Sequence, residues 1–131
     1  MKYLLDTVVW LWSVGPTDKI GSAGLEILAN GEEDIYLSAA SSWEISIKTK
    51  LGKFDLPEEP GHYVPNCIAK QGIQSLSITQ NHTLKVYDLP LHHSDPFDRL
   101  IIAQALAENM VILTSDRIFR KYPVELLWCG K

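Results

Sequence analysis

The stretch Asp95-Pro96-Phe97-Asp98-Arg99-Leu100-Ile101-Ile102-Ala103-Gln104-Ala105-Leu106-Ala107-Glu108-Asn109-Met110-Val111-Ile112-Leu113-Thr114-Ser115-Asp116 decides how this chain is read. Its first part is a helix over residues 95–109. Asp95 caps it, Pro96 suits the first helical position because no intrahelical partner awaits an N–H there, and Leu100, Ile101, Ala103 and Ala105 to Ala107 favour helix or core. Val111-Ile112-Leu113 is then a short apolar strand, and Asp116 follows it by two residues. Helix, strand and an acid just past the strand form the unit against which the rest is compared.

Working outward, residues 2–5 read as a strand and residues 7–14 as a short helix ended by Gly15-Pro16. Residues 19–28 form a helix with an imperfect apolar face (Ile20, Leu25, Ile27, Leu28), stopped by Asn30-Gly31, and residues 34–38 form a strand. Residues 41–51 read as a helix with Trp43, Ile47 and Leu51 at successive i,i+4 positions and Gly52 as its stop. Pro57, Pro60, Gly61 and Pro65 punctuate a segment leading into a helix that reaches Lys70. Residues 73–78 alternate as a half-buried strand does, Thr79 caps a helix through Tyr87, residues 89–94 are a loop, and residues 124–127 form the last strand after a short helix behind Asp116. No repeat, low-complexity tract or linker interrupts the series. Alternating strands and helices predict one domain over residues 1–131, a three-layer α/β/α sandwich with a central, mainly parallel sheet.

That architecture gives the acids their meaning. Asp6 closes Tyr3-Leu4-Leu5, Glu44 follows Ile35-Tyr36-Leu37 by one short connection, Asp98 opens a helix and Asp116 follows Val111-Ile112-Leu113. If these apolar runs are parallel strands, all four acids lie on the carboxyl-end side of the sheet, the binding edge of such folds. Each alone has a structural explanation: Asp6 and Asp116 suit helix caps, Ser41-Ser42-Trp43-Glu44 fits the S-x-x-E capping box, and Asp98 stands three residues after the cap Asp95. Independent caps have no reason to gather at one edge, however. Clustered carboxylates repel without a counterion, whereas Mg²⁺ or Mn²⁺ prefers hard oxygen ligands.

Bulk properties narrow the classes. The chain has 131 residues, 46% hydrophobic, enough for a core, and a formal charge of −4 that argues against indiscriminate nucleic-acid binding while leaving a metal-bridged phosphodiester substrate open. No segment has the length or pattern of a membrane span or a signal peptide, so a cytoplasmic protein without membrane contact is expected. Cys67 and Cys129 are expected to be reduced thiols without a role. His92 and His93 lack zinc-motif spacing and read as exposed loop residues, with Asp95 as a cap. Arg99, Arg117 and Arg120 read as ordinary surface or salt-bridged residues, and Trp10, Trp12 and Trp43 as packing residues.

Four pieces, Tyr3-Leu4-Leu5-Asp6-Thr7, Ser41-Ser42-Trp43-Glu44-Ile45, the run from Asp95 to Ala105, and Leu113-Thr114-Ser115-Asp116, together resemble the PIN-domain ribonucleases, and among them the VapC toxins of toxin-antitoxin pairs. The resemblance spans nearly the whole chain, and Asp-Pro-Phe-Asp-Arg is its most specific segment. It implies a PIN-like fold and a Mg²⁺- or Mn²⁺-dependent endoribonuclease that cleaves RNA by metal-activated water. Asp6, Glu44, Asp98 and Asp116 are the implied metal ligands, and Thr114 would orient water or phosphate. A VapB-like antitoxin and a homodimer are the implied partners; the antitoxin would cover the surface near Trp10, Trp12 and Trp43. Two rival readings are a phosphoryl-transfer enzyme with Asp6 as nucleophile, which lacks a second acid two positions on and a phosphate loop, and a non-enzymatic α/β interaction domain whose acids only cap helices.

Overall fold

The computed structural model describes residues 1–131 as a five-stranded sheet in the order β3-β2-β1-β4-β5, with every neighbouring pair parallel. The strands are β1 (Lys2–Leu5), β2 (Asp34–Ser38), β3 (Gln74–Leu76), β4 (Val111–Thr114) and β5 (Leu126–Trp128). Six α-helices connect them: α1 (Thr7–Ser13), α2 (Ser22–Ala29), α3 (Ala39–Lys50), α4 (Pro60–Gln71), α5 (Gln80–Lys85) and α6 (Pro96–Glu108), with 3₁₀ turns at Thr17–Lys19, Val86–Asp88 and Arg117–Lys121.

Side chains of the central strands alternate between two cores, which is why the strands read as unbroken apolar runs. Tyr3 and Leu5 of β1 and Val111 and Leu113 of β4 join Val9, Trp10, Ile45 and Val64 on one face. Leu4 and Ile112 point the other way, into Leu100, Ile101, Ala103, Ala105 and Phe119. Full burial of one such leucine or isoleucine stabilises the fold by about 1.5–3 kcal/mol. The predicted three layers and parallel sheet are therefore present.

The largest departure from the sequence reading is the start of α3. Ser38 is its N-cap, with Oγ accepting from Ala40 N at 2.9 Å. The chain thus passes from β2 into the helix with no intervening residues. Ser41 lies inside the helix, where its Oγ accepts from Thr7 Oγ1 at 2.9 Å, so no Ser41–Glu44 capping box forms. The expected helical register does survive, yet Trp43, Ile47 and Leu51 are 55%, 38% and 64% exposed: that stripe faces outward. Thr79 does form a capping box, with His82 as the reciprocal partner. The helix expected from residue 19 begins only at Ser22, because Ile20 is extended and Gly21 N donates to Cys129 O at 2.9 Å, which ties the segment to the end of β5.

That tie brings α2 against the buried Cys129. A Cβ on Gly24 would stand 2.7 Å from Cys129 Sγ and 3.0 Å from Ile20 Cγ2. Helix propensity alone favours Gly24→Ala by about 1 kcal/mol, but overpacking a filled site costs about 1–3 kcal/mol. Gly24→Ala is therefore expected to lower the urea midpoint, and adding Cys129→Ala to recover it in part. A gain in stability from Gly24→Ala alone would show that α2 can shift freely from β5.

Candidate metal centre

After β1 the chain turns to the face of α1, whereas after β4 it turns to the face holding Phe119. The carboxyl ends of these adjacent strands therefore flank a topological switch point, the crevice where open α/β sheets bind ligands. Asp6 N donates to Leu113 O at 3.0 Å across this crevice. Asp6 Oδ1 caps α1 by accepting from Val9 N at 2.7 Å, and Oδ2 accepts from Thr114 Oγ1 at 2.5 Å. Thr114 Oγ1 in turn accepts from Asp116 N at 3.0 Å. Thr114 is fully buried with its proton committed to Asp6, so it orients the two acids; the expected contact with water or phosphate does not fit this arrangement.

The other acids reach the crevice from helices. Asp95 caps α6, its Oδ1 accepting from Phe97 N and Asp98 N at 2.8 and 3.1 Å, and this presents Asp98 one turn in. Glu44 stands on α3, one turn before Lys48, whose Nζ bonds Glu44 Oε2 and lies 3.9 Å from Asp95 Oδ2. Glu44 Oε1 is buried without a hydrogen-bond partner. Asp116 Oδ1 caps the following 3₁₀ turn through Ile118 N at 2.9 Å.

His93 is the residue the sequence reading placed wrongly. Its side chain is only 10% exposed, and Nε2 is 3.0 Å from Asp98 Oδ2 and 3.0 Å from Asp116 Oδ2. The ring also packs edge-on against Phe119. A pair of adjacent histidines in a polar loop carried no motif. The usable signal was position, since His93 precedes the helix cap by two residues and so belongs to the turn that delivers α6 to the sheet edge.

Burial, with charge crowding added to it, raises the acids' proton affinities. Asp98 is pushed up to about 8, by burial first and then by the charges of Asp95, Glu44, Asp6 and Asp116. Burial raises Asp6 to about 6, against the lowering effect of hydrogen bonds from Thr114 and Val9. Lys48 is raised even though burial works against its charge, because it donates to Glu44 and sits in the field of Glu44, Asp95 and Asp98. The structure thus brings Asp6, Glu44, Asp98 and Asp116 into one electrostatic neighbourhood. The capping explanation survives for Asp6 and Asp116, each of which spends one oxygen on a cap, and fails for Glu44.

The donor set suits a hard divalent cation: oxygen donors, an unpartnered buried Glu44 oxygen, and carboxylate oxygens of Asp98 and Asp116 that lie within 4.8 Å of each other. The surrounding residues divide. Arg99 is bound to the carbonyl oxygens of Pro90, Val86 and Leu89, and Arg120 stacks on Trp128, so both have local structural work; Arg117 is exposed. Trp10 is wholly buried, Trp12 packs beside it, and Trp43 stands exposed with its ring edge-on to Phe97 at 4.9 Å. Cys67 and Cys129 are free thiols. No helix is long and apolar enough to cross a membrane.

The PIN domain model matches residues 3–125. Ribonuclease VapC16 of Mycobacterium tuberculosis (strain ATCC 25618 / H37Rv) is 42% identical over 57 residues, which cover 44% of this chain and 40% of that protein. Among solved structures, VapBC2 from Rickettsia felis bound to a promoter DNA fragment superposes with a TM-score of 0.74 at 20% identity, covering 99% of this chain and 100% of the matched one. DNA-bound VapBC from Salmonella typhimurium gives 0.72 at 17% identity over 97% of each chain. At these identities the superpositions speak for the fold. The chain belongs to the PIN domain family.

Asp98 makes a pH-dependent prediction for the metal-free protein. Its folded value, about 8, lies above the ordinary 3.8, so between those values the native state holds a proton that the unfolded chain has lost. Stability from this group is therefore full below pH 4 and is lost as pH rises towards 8. Asp98→Asn cannot ionise and should gain stability over the native chain in EDTA, by up to about 4 kcal/mol more at pH 8 than at pH 5. Thermal unfolding at the two pH values measures this, and an equal difference at both would contradict the raised proton affinity of Asp98.

Proposed function

We propose that this chain is a divalent-metal-dependent endoribonuclease and the toxin component of a VapBC-type pair, working in the cytoplasm. One observation carries the reading: Asp6, Glu44, Asp98 and Asp116 gather at the switch point of a PIN fold, where burial first, and then the charges of Asp95 and the other three acids, raise the proton affinity of Asp98 to about 8. Similarity to a ribonuclease over 57 residues supports the activity. The rival with Asp6 as nucleophile is disfavoured, because Val8 stands where a second acid two positions on would be needed and no phosphate loop accompanies it.

Asp6, Asp98 and Glu44 would hold Mg²⁺ or Mn²⁺, with Asp116 beside them. When bound, such an ion would make water nucleophilic near neutral pH and offset charge developing on the scissile phosphate. The chain's own contribution is orientation. Thr114 donates to Asp6 Oδ2 and so ties the end of β4 to the end of β1, Val9 N fixes Oδ1, and Asp116 N donating to Thr114 Oγ1 holds the turn after β4. Asp95 holds the first turn of α6, and with it Asp98. Lys48 compensates Glu44 until the centre is loaded.

An acidic chain has to bind RNA locally, through the centre, where a cation held by these carboxylates would supply the positive charge that a phosphate requires. The exposed stripe Trp43, Ile47 and Leu51, on the same helix as Glu44, supports a VapB-like partner docking there, since aromatic anchors dominate many protein interfaces. Buried Trp10 cannot serve as an anchor, so the partner surface is narrower than the three tryptophans suggested. Exposed Leu84, Tyr87 and Leu91 support a homodimer as a separate contact.

The partner-free protein should cleave RNA with Mg²⁺ or Mn²⁺ and stop in EDTA. Asp6→Asn and Asp98→Asn should each lower the rate by at least about 100-fold, the upper end of what loss of an outer-shell partner costs, while remaining folded by circular dichroism. Cleavage at the native rate by either folded variant would remove that residue from the centre, and cleavage undiminished in EDTA would remove the metal.

A further inference from the structure

We infer that His93 is a positioning residue that holds Asp98 and Asp116 together through its Nε2–H and does not itself ligate the ion, a statement that rests on the metal-centre reading above. The geometry of the ring carries this. Nδ1 faces the backbone N–H of Asp95 at 3.2 Å and accepts from it, so in the neutral ring the hydrogen belongs on Nε2. Nε2 is the nitrogen aimed at the acids: it hydrogen-bonds Asp116 Oδ2 at 3.0 Å and lies 3.0 Å from Asp98 Oδ2. Ligation through Nε2 would require the hydrogen to move to Nδ1, where it would confront the Asp95 N–H. Nδ1 itself is already engaged by that N–H.

The ring is held in place by a second set of contacts. The backbone N–H groups of His92 and His93 both donate to Tyr122 Oη, at 3.2 and 2.8 Å, and Tyr122 Oη donates to Pro90 O at 2.8 Å. Arg99 closes the same loop by donating to Pro90 O, Val86 O and Leu89 O. Phe119 packs edge-on against the imidazole. Thus two residues that contribute nothing to the acid cluster, Tyr122 and Arg99, fix the loop that delivers the bridging nitrogen. The bridge joins acids from two different elements, α6 and the turn after β4, which no backbone hydrogen bond of the cluster does.

Three measurements test the inference. In the metal-free native chain at alkaline pH, ¹⁵N NMR of the imidazole should show hydrogen on Nε2 and none on Nδ1; the reverse tautomer overturns the bridge. With Mn²⁺ as the probe, calorimetry should show His93→Leu weakening affinity by about 10–100-fold, as loss of an outer-shell partner does. His93→Gln, whose amide N–H₂ reaches the same place, should restore most of it. Electron spin-echo spectra of the Mn²⁺-loaded native chain should lack coupling to a directly bound imidazole nitrogen. Such coupling, absent in His93→Gln, would make His93 a ligand and overturn the proposal, as would equal Mn²⁺ affinity in all three chains. If the native chain bound no Mn²⁺ but kept the Nε2–H tautomer, the metal reading would fall and the bridge itself would stand.

Discussion

Gathering carboxylates at one sheet edge is the constraint on which the rest of this structure depends. Two like charges 4 Å apart near a protein surface repel by about 4 kcal/mol. The chain relieves this in distinct ways at distinct acids. Asp6 and Asp116 each give one oxygen to backbone N–H groups at a helical start. Glu44 takes Lys48, Asp116 and Asp98 share His93, and Asp98 retains its proton to about pH 8. Protonation is the costliest of these for function, because a neutral carboxyl is a poor ligand; it is also the one a divalent cation removes.

The fold supplies the convergence through connectivity. Every strand runs the same way, so each connection leaves the sheet at the same edge, and the reversal of winding between β1 and β4 opens the crevice there. Rigidity comes from buried polar links between elements. Ser38, the cap of α3, donates to Gln104 Oε1 on α6 at 2.5 Å; Gln104 Nε2 reaches Ser77 O at 3.2 Å, and His82 on α5 pairs with Glu108 at 2.9 Å. The cap that starts the Glu44 helix is thereby anchored to the helix that carries Asp98. Truncating one member of such a network leaves its buried partners unsatisfied, which is why networks of this kind are rigid.

Much of this was legible in sequence because the relevant signals are local. Val111-Ile112-Leu113 and Tyr3-Leu4-Leu5 are apolar on both faces, as strands between two helical layers must be, and Asp95-Pro96 marks the α6 start without ambiguity. Failures arose where tertiary contacts override local chemistry. Ser41 has the spacing of a capping box, but Thr7 claims its hydroxyl and Ser38 takes the cap. Trp43, Ile47 and Leu51 have core periodicity, but the neighbouring face of α3, carrying Glu44 and Ile45, is the buried one. His93 was unreadable for a related reason: its partners, Asp98 and Asp116, lie 5 and 23 residues away, and only the fold brings both to one nitrogen.

If Asp6, Glu44, Asp98 and Asp116 form one cation-binding centre in which burial and the neighbouring charges keep Asp98 protonated, loading the centre must release that proton. Mn²⁺ titrated calorimetrically at pH 7, in buffers of different ionisation enthalpy, counts the protons displaced. The native chain is expected to release about one proton per ion bound, and Asp98→Asn to bind far more weakly with most of that release gone. Mn²⁺ binding that displaces no proton, or that persists unchanged in Asp98→Asn, would contradict the claim.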